Sequence, residues 1–291
     1  MQTTTRTVDL PFGPCEVRVT GDGPPVLFVH GIIVNGTVWD GVALALADDH
    51  QVIQPDLPLG GHRLHARRRE LVAPEGVADA LAVLLEELGH DQAVVVGNDS
   101  GGAISQIFTA RHPDRVRALV LTSSDAFDHF PPNLLKPVKA LLAVPGMIDV
   151  VGALYRFGWI RRSWAGAGLA MNKPIDDELI APYFDRVAGD REARRDMAAF
   201  IRGCRPALTN AAAEALASFP RPVLLAWSEG DVLFPEADAR KLAEMIPDAE
   251  LTWITGSRTF SMVDQPEQLL AAIRPFLERL PGPRQAAGGG G

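Results

Sequence analysis

The sequence predicts an α/β fold: a mostly parallel sheet with an antiparallel hairpin at its N-terminal edge and an inserted helical lid. Three observations predict it. Six runs of strand length are rich in Val, Leu and Ile: V-L-F-V-H from Val26, H-Q-V-I-Q from His50, A-V-V-V from Ala93, A-L-V-L from Ala118, V-L-L-A-W from Val223 and E-L-T-W-I from Glu250. Near-continuous apolar runs belong to parallel strands covered on both faces. Helix-like patterns alternate with these runs, as in successive βαβ units. The alternation stops after Leu121 and resumes at Arg221, and the stretch between has helical patterns rich in Pro, Trp and Arg with no clear strand.

Along the chain, T-V-D-L from Thr7 and E-V-R-V from Glu16 flank a turn-like P-F-G-P and predict the edge hairpin. Residues Pro74–Leu88 place Val77, Leu81, Leu84, Leu85 and Leu88 at three- and four-residue spacing, with Gly89 closing the helix. A further helix runs from Ala103 towards Pro113. The long insertion should lie over the ends of the strands, where open α/β folds bind ligands. Within it, Asp176, Asp177 and Glu178 start a helix whose N-terminal dipole favours carboxylates. The expected division is a core of residues 1–124 and 220–280, a lid of 125–219, and a linker-like, disordered tail of 281–291. No internal repeat is present.

With 291 residues, 47% hydrophobic and 22% charged, the chain can bury a large core. Its formal charge of −8 argues against nucleic acid as a partner. The one basic cluster, Arg63–Arg69, reads as a solvated loop face. The two cysteines, Cys15 and Cys204, stand in unrelated contexts and predict buried small hydrophobes rather than a disulfide or a metal site. The N-terminus lacks the apolar core of a secretory signal. The longest apolar stretch, Lys139–Tyr155, is broken by Pro145, Gly146 and Asp149 and is too short to span a bilayer. The expectation is a cytoplasmic protein with a small-molecule substrate, no cofactor, no metal and no membrane partner. A homodimer is left open.

Residues 96–103, V-G-N-D-S-G-G-A, pose the central question of which side chain reacts. The stretch lies between a buried strand and a helix, the setting of a G-x-Nuc-x-G elbow, where small residues two before and two after the nucleophile permit a strained turn. Centred on Asp99, the flanks are Gly97 and Gly101. Centred on Ser100, they are Asn98 and Gly102, and a side chain would occupy the tightest part. Asp99 is therefore the residue presented, and the Ser100 backbone N–H can face an oxyanion pocket. The competing reading of Asp99 is a polar cap on the following helix.

At these residues the chain resembles the α/β-hydrolase superfamily. The motifs that carry the resemblance are His30-Gly31, Trp39, D-L-P-L-G-G-H from Asp56, G-N-D-S-G-G from Gly97, Gly230-Asp231 and T-G-S-R-T-F-S-M-V-D-Q-P-E from Thr255. An aspartate in the elbow is similar to the epoxide hydrolase and haloalkane dehalogenase branch. There a carboxylate attacks carbon, and water, helped by a histidine, hydrolyses the resulting ester. The resemblance implies Asp99 as nucleophile, Asp231 as the acid or, without a histidine to orient, as a loop-fixing carboxylate, and His30, Gly31 and Ile32 with Ser100 as the oxyanion loop. It breaks at one position: the family's G-x-G-H-F falls on Gly256-Ser257-Arg258-Thr259-Phe260, so Thr259 stands where the histidine belongs. Threonine does not titrate near neutral pH and cannot act as general base.

Three responses to that gap remain. His129 could reach in beside Asp125, after the sixth strand. Asp99 could act as an acid or base in a cyclase, isomerase or lyase, its pKa raised under an apolar lid. Or the site binds without turnover. Dehalogenation is disfavoured, because Ser100 and Ile32 supply no side-chain N–H where relatives hold the halide. Epoxide opening fares better, since Tyr155 and Tyr183 fall within the insertion, where relatives keep their epoxide-protonating tyrosines, although the Pro of H-G-x-P is missing. Trp159, Trp164, Phe157 and Phe200 are expected to line an apolar pocket.

Overall fold

The computed structural model describes residues 2–142, 144, 146–173 and 176–281, so the tail reading lies almost wholly outside the described residues. Eight strands form one sheet: β1 (Thr3–Leu10), β2 (Gly13–Thr20), β3 (Pro25–Val29), β4 (Gln51–Pro55), β5 (Ala93–Asp99), β6 (Val116–Ser124), β7 (Val223–Ser228) and β8 (Ala249–Ile254). Their spatial order is β1-β2-β4-β3-β5-β6-β7-β8. β1 and β2 form the antiparallel hairpin, β2 joins β4 antiparallel, and every later pairing is parallel.

Alternate side chains of each strand point to opposite faces, and both faces are covered. Leu27 and Val29 of β3 join Val95 in one buried cluster, while Val26 and Phe28 join Val94 and Val96 in the other. This is why the strands read as unbroken apolar runs. On the first face lie α2 (Pro74–Glu87) and α3 (Ser100–Arg111); on the second lies α1 (Asp40–Leu46). α2 begins with Pro74 at its first position and gives way to Gly89 at φ +80°, a left-handed conformation that suits glycine.

Between β6 and β7 the chain forms α4 (Lys136–Leu142), α5 (Met147–Leu154), α6 (Gly158–Arg162), α7 (Asp177–Gly189), α8 (Arg191–Gly203) and α9 (Pro206–Leu216). Asp176 caps α7, accepting from Glu178 N at 3.1 Å. After β7, α10 (Glu236–Met245) and α12 (Pro266–Arg279) flank β8, with the short α11 (Ser261–Asp264) between β8 and α12. The basic cluster is not simply a solvated face. Arg69 donates to Asp196 Oδ1 at 2.5 Å and pairs with Glu192 at 2.8 Å, and His65 pairs with Asp190 at 2.8 Å. Those carboxylates stand on or at the start of α8, so the cluster ties the inserted helices to the core. Arg67, paired with Asp9 at 3.3 Å, does remain exposed.

Candidate active site

Asp99 is the last residue of β5 and Ser100 the first of α3. Asp99 has φ 54° and ψ −133°, a conformation that costs a non-glycine residue about 1–3 kcal/mol and persists only where its surroundings enforce it. They do so by contact. A Cβ on Gly97 would lie 2.4 Å from Ser105 Oγ, and one on Gly101 would lie 2.3 Å from the Val29 carbonyl oxygen. Neither position admits a side chain.

The Asp99 carboxylate faces the cavity between sheet and insertion. Oδ2 accepts the Ile32 N–H at 3.2 Å, and the Ser100 backbone N–H also favours the charged form. A Cβ on Gly31 would lie 2.1 Å from the same oxygen, so the loop reaches the carboxylate only because residue 31 is glycine. The Asp99 side chain makes no helix-capping hydrogen bond. Burial pushes its pKa up to about 7, against the two backbone donors and with a smaller push from the Asp231 charge.

Ser100 also borders the cavity, but its hydroxyl donates to Asp125 Oδ2 at 3.1 Å. Asp125 is fully buried, and burial together with the Asp99 charge raises its pKa well above the ordinary carboxylate range. Its Oδ1 has no hydrogen-bond partner among the described residues. A neutral carboxyl bears that isolation at far less cost than an anion.

Thr259 is fully buried, and its hydroxyl donates to Asp231 at 3.0 and 3.1 Å. Asp231 also accepts the Leu233 and Phe234 N–H groups at 2.8 and 3.2 Å, and burial raises its pKa. The Thr259 hydroxyl is thus the side-chain donor that this loop offers to Asp231. The alpha/beta hydrolase fold family matches residues 24–264, most of the chain. The chain belongs to the α/β-hydrolase family. It is 28% identical to haloalkane dehalogenase 2 of Mycobacterium tuberculosis, over 87% of each chain. It is equally similar, at 28%, to the cis-3-alkyl-4-alkyloxetan-2-one decarboxylase of Xanthomonas campestris, over 89% of this chain and 90% of that one. Among solved structures, the epoxide hydrolase CorEH shares the fold with a TM-score of 0.79 at 20% identity, covering 96% of this chain and all of its own.

In this α/β-hydrolase, His30 serves the loop. It is buried, its Nε2 accepts the Leu57 N–H at 2.9 Å, and Nδ1 must then carry the proton it directs to the Gly31 carbonyl at 2.8 Å. Burial lowers its pKa to about 4, which keeps it neutral. The catalytic reading of His129 is corrected: its Nδ1 pairs with Asp238 on α10 at 2.6 Å, and it does not border the cavity. None of the seven histidines borders it. Tyr155 and Tyr183 do, but Tyr155 donates its hydroxyl to the Ala165 carbonyl at 2.9 Å, and Tyr183 shares a hydrogen bond with Thr37 at 2.9 Å.

The cavity measures about 540 Å³. Its wall is apolar, with Leu142, Ile160, Met171, Phe184 and Met197 from the insertion and Phe260 from the core. Trp164 joins this wall, whereas Trp159 is corrected: it is 68% exposed, turned outward on α6 while Ile160 turns in. Phe157 is likewise exposed, and Phe200 packs against Phe130 in the core. Both cysteines are free and buried. Asn98 is a positioning residue that the motif reading passed over. Its Nδ2 donates to Thr122 Oγ1 at 2.8 Å, the Ser123 carbonyl at 3.2 Å and the Thr259 carbonyl at 2.7 Å, fastening the elbow to the loop of residue 259. A buried amide beside a nucleophile candidate is the only signal the sequence offered.

Proposed function

We propose that this chain is an enzyme in which Asp99 attacks a small, largely apolar substrate at an sp³ carbon, an epoxide rather than a haloalkane, and in which hydrolysis of the resulting ester is impaired. The single observation that carries this reading is the orientation of Asp99. Oδ2 is held by the Ile32 N–H, which leaves Oδ1 for the cavity. In the proposed step an electron pair of Oδ1 forms a bond to a ring carbon, the ring C–O bond breaks with its pair going to oxygen, and the alkoxide takes its proton from solvent water, whose hydroxide passes to the bulk. Release would require water activated by a base, and Thr259 stands in the base's position on Asp231. Loss of such a base slows a step by about 10²–10⁴-fold. A halide would find no side-chain N–H at Ser100 or Ile32, which places haloalkanes second.

A non-hydrolytic reading, as cyclase, isomerase or lyase, has its own support. Burial brings Asp99 to about 7 beside an Asp125 that burial and the Asp99 charge also hold well above the ordinary carboxylate range, a pair suited to holding and passing one proton. The decarboxylase relative fits this reading, because decarboxylation needs no water-activating base.

Intact-mass spectrometry after exposure to a panel of epoxides, alkyl halides and oxetan-2-ones separates the readings. A stable adduct on Asp99 supports nucleophilic attack with blocked release. Turnover that consumes no water supports the lyase or isomerase reading. Neither adduct nor turnover across the panel overturns both and leaves a binding protein.

A further inference from the structure

Twelve large hydrophobic side chains are exposed among the described residues, and nine of them fall between residues 134 and 164: Leu134, Val138, Leu141, Val144, Val150, Leu154, Phe157, Trp159 and Trp164. Soluble monomers scatter such residues singly; a cluster marks a contact surface. Helices Asn133–Leu142 and Met147–Leu154 meet at 119°, and together they carry the apolar composition of a broken membrane segment. No single described helix is long and apolar enough to cross a membrane.

Charge in this segment runs against the rest of the chain. Residues 133–164 hold Lys136, Lys139, Arg156, Arg161 and Arg162 against the single carboxylate Asp149, in a chain of net charge −8. Asp149 is taken by Arg191 and Arg194, Arg161 by Asp185 and Arg162 by Asp177. Lys136 and Arg156 are exposed and have no ion-pair partner among the described residues. Exposed Trp, Phe and Leu interleaved with unpaired cations is the composition of a segment that rests in the headgroup region of an anionic bilayer. The same surface forms the entrance to the cavity. Leu134, Val138, Leu141, Leu154 and Trp164 are at once exposed and part of the cavity wall.

We infer that helices α4–α6 dock the protein reversibly on an anionic lipid surface, with the mouth of the apolar cavity turned towards the acyl layer from which an apolar ligand would enter. This departs from the expectation of no membrane partner, which rested on the lack of a spanning segment; docking needs none.

The test is co-sedimentation of the full chain with vesicles of phosphatidylcholine alone and of phosphatidylcholine mixed equally with phosphatidylglycerol. Binding to the anionic vesicles, weakened by high salt and accompanied by a blue shift of tryptophan emission, is expected. Each basic residue near the surface contributes about five-fold to partitioning, so Lys136→Ala with Arg156→Ala should lower it about 25-fold. Trp159→Ser should reduce both partitioning and the blue shift. These side chains are exposed, so circular dichroism of the variants should match the parent. Asp99→Asn, which removes the chemistry proposed above, should bind vesicles unchanged, so the two proposals fail separately. Absence of binding to anionic vesicles, or equal binding to both compositions, overturns the inference. So does a lipid-free dimer in sedimentation velocity that Trp159→Ser dissociates, because a second copy would then be what covers the patch.

Discussion

The two halves of the cavity are built differently. On the core side each functional group is fixed by close contact or hydrogen bond: Asp99 by Gly97, Gly101, Gly31 and the Ile32 N–H, and Thr259 by Asn98 and Asp231. On the side of the inserted helices the polar groups are engaged in packing. Tyr155 has spent its hydroxyl within the insertion and Tyr183 on Thr37 of the core, and Trp159 faces outward. The core half therefore holds the fixed polar groups of the cavity, and the other half supplies most of its apolar wall. The core half presents the Asp99 carboxylate to the cavity, and none of the seven histidines borders it.

The largest effect expected from this division is that of Asp99→Asn. The amide keeps the size of the carboxylate but is not a nucleophile, so every covalent adduct should vanish from the mass spectrum. Adducts that persist would place the reactive group elsewhere. Next comes Thr259→His, which offers an imidazole to Asp231 and should speed release of any trapped ester by about 10²–10⁴-fold. Pulse-chase mass spectrometry reads that release directly, and an unchanged ester lifetime would show that position 259 does not address the ester.

A smaller effect tests the other half. Asp196 is fully buried between His62 and Arg69, at 3.2 and 2.5 Å, and joins α8 to the core loop. Asp196→Ala should cost about 3 kcal/mol, the low end for breaking a buried pair because Arg69 stays partly exposed and can rehydrate. Denaturant titration measures the loss. Adducts on Asp99 should still form in the folded variant; their disappearance would mean that the division between the halves is wrong.

How far the sequence disclosed this arrangement follows the same line. The central strands were legible because both faces of the sheet are covered there, the largely exposed β1 because a turn-like P-F-G-P joins it to β2, and Asp99 because its neighbours at two residues' distance are glycines that contacts forbid to be anything larger. Thr259 was legible as a residue of interest from its place between Gly256 and Phe260, and the structure puts its hydroxyl on Asp231. What stayed hidden depends on tertiary partners. Arg69 finds its carboxylates more than a hundred residues away, His129 finds Asp238 on α10, and the outward turn of Trp159 is set by how one short helix packs. Asn98 entered the sequence reading only as the side chain that rules out a Ser100-centred frame, whereas its hydrogen bonds tie the elbow to β6 and to the loop of Thr259.

The mildest effect is on pH, and it separates the two chemistries open to Asp99. Burial raises its pKa to about 7, so the anion fraction grows through neutrality. Attack on carbon needs the anion: the rate of adduct formation should fall about tenfold per pH unit below 6 and level off above 8. An acid role would give the mirror profile, falling as pH rises through 7. The same group links to stability. Between its unfolded pKa near 3.8 and about 7 the native state binds the extra proton, so its contribution to stability is fully present below pH 4 and is lost as pH rises through 7. Asp99→Asn should remove that part of the pH slope and leave the part of the Asp125 contribution that comes from burial, which lies in the same direction. A variant that retains the full slope would assign the titration to Asp125 alone and leave Asp99 ionised throughout, which favours the nucleophile over the acid.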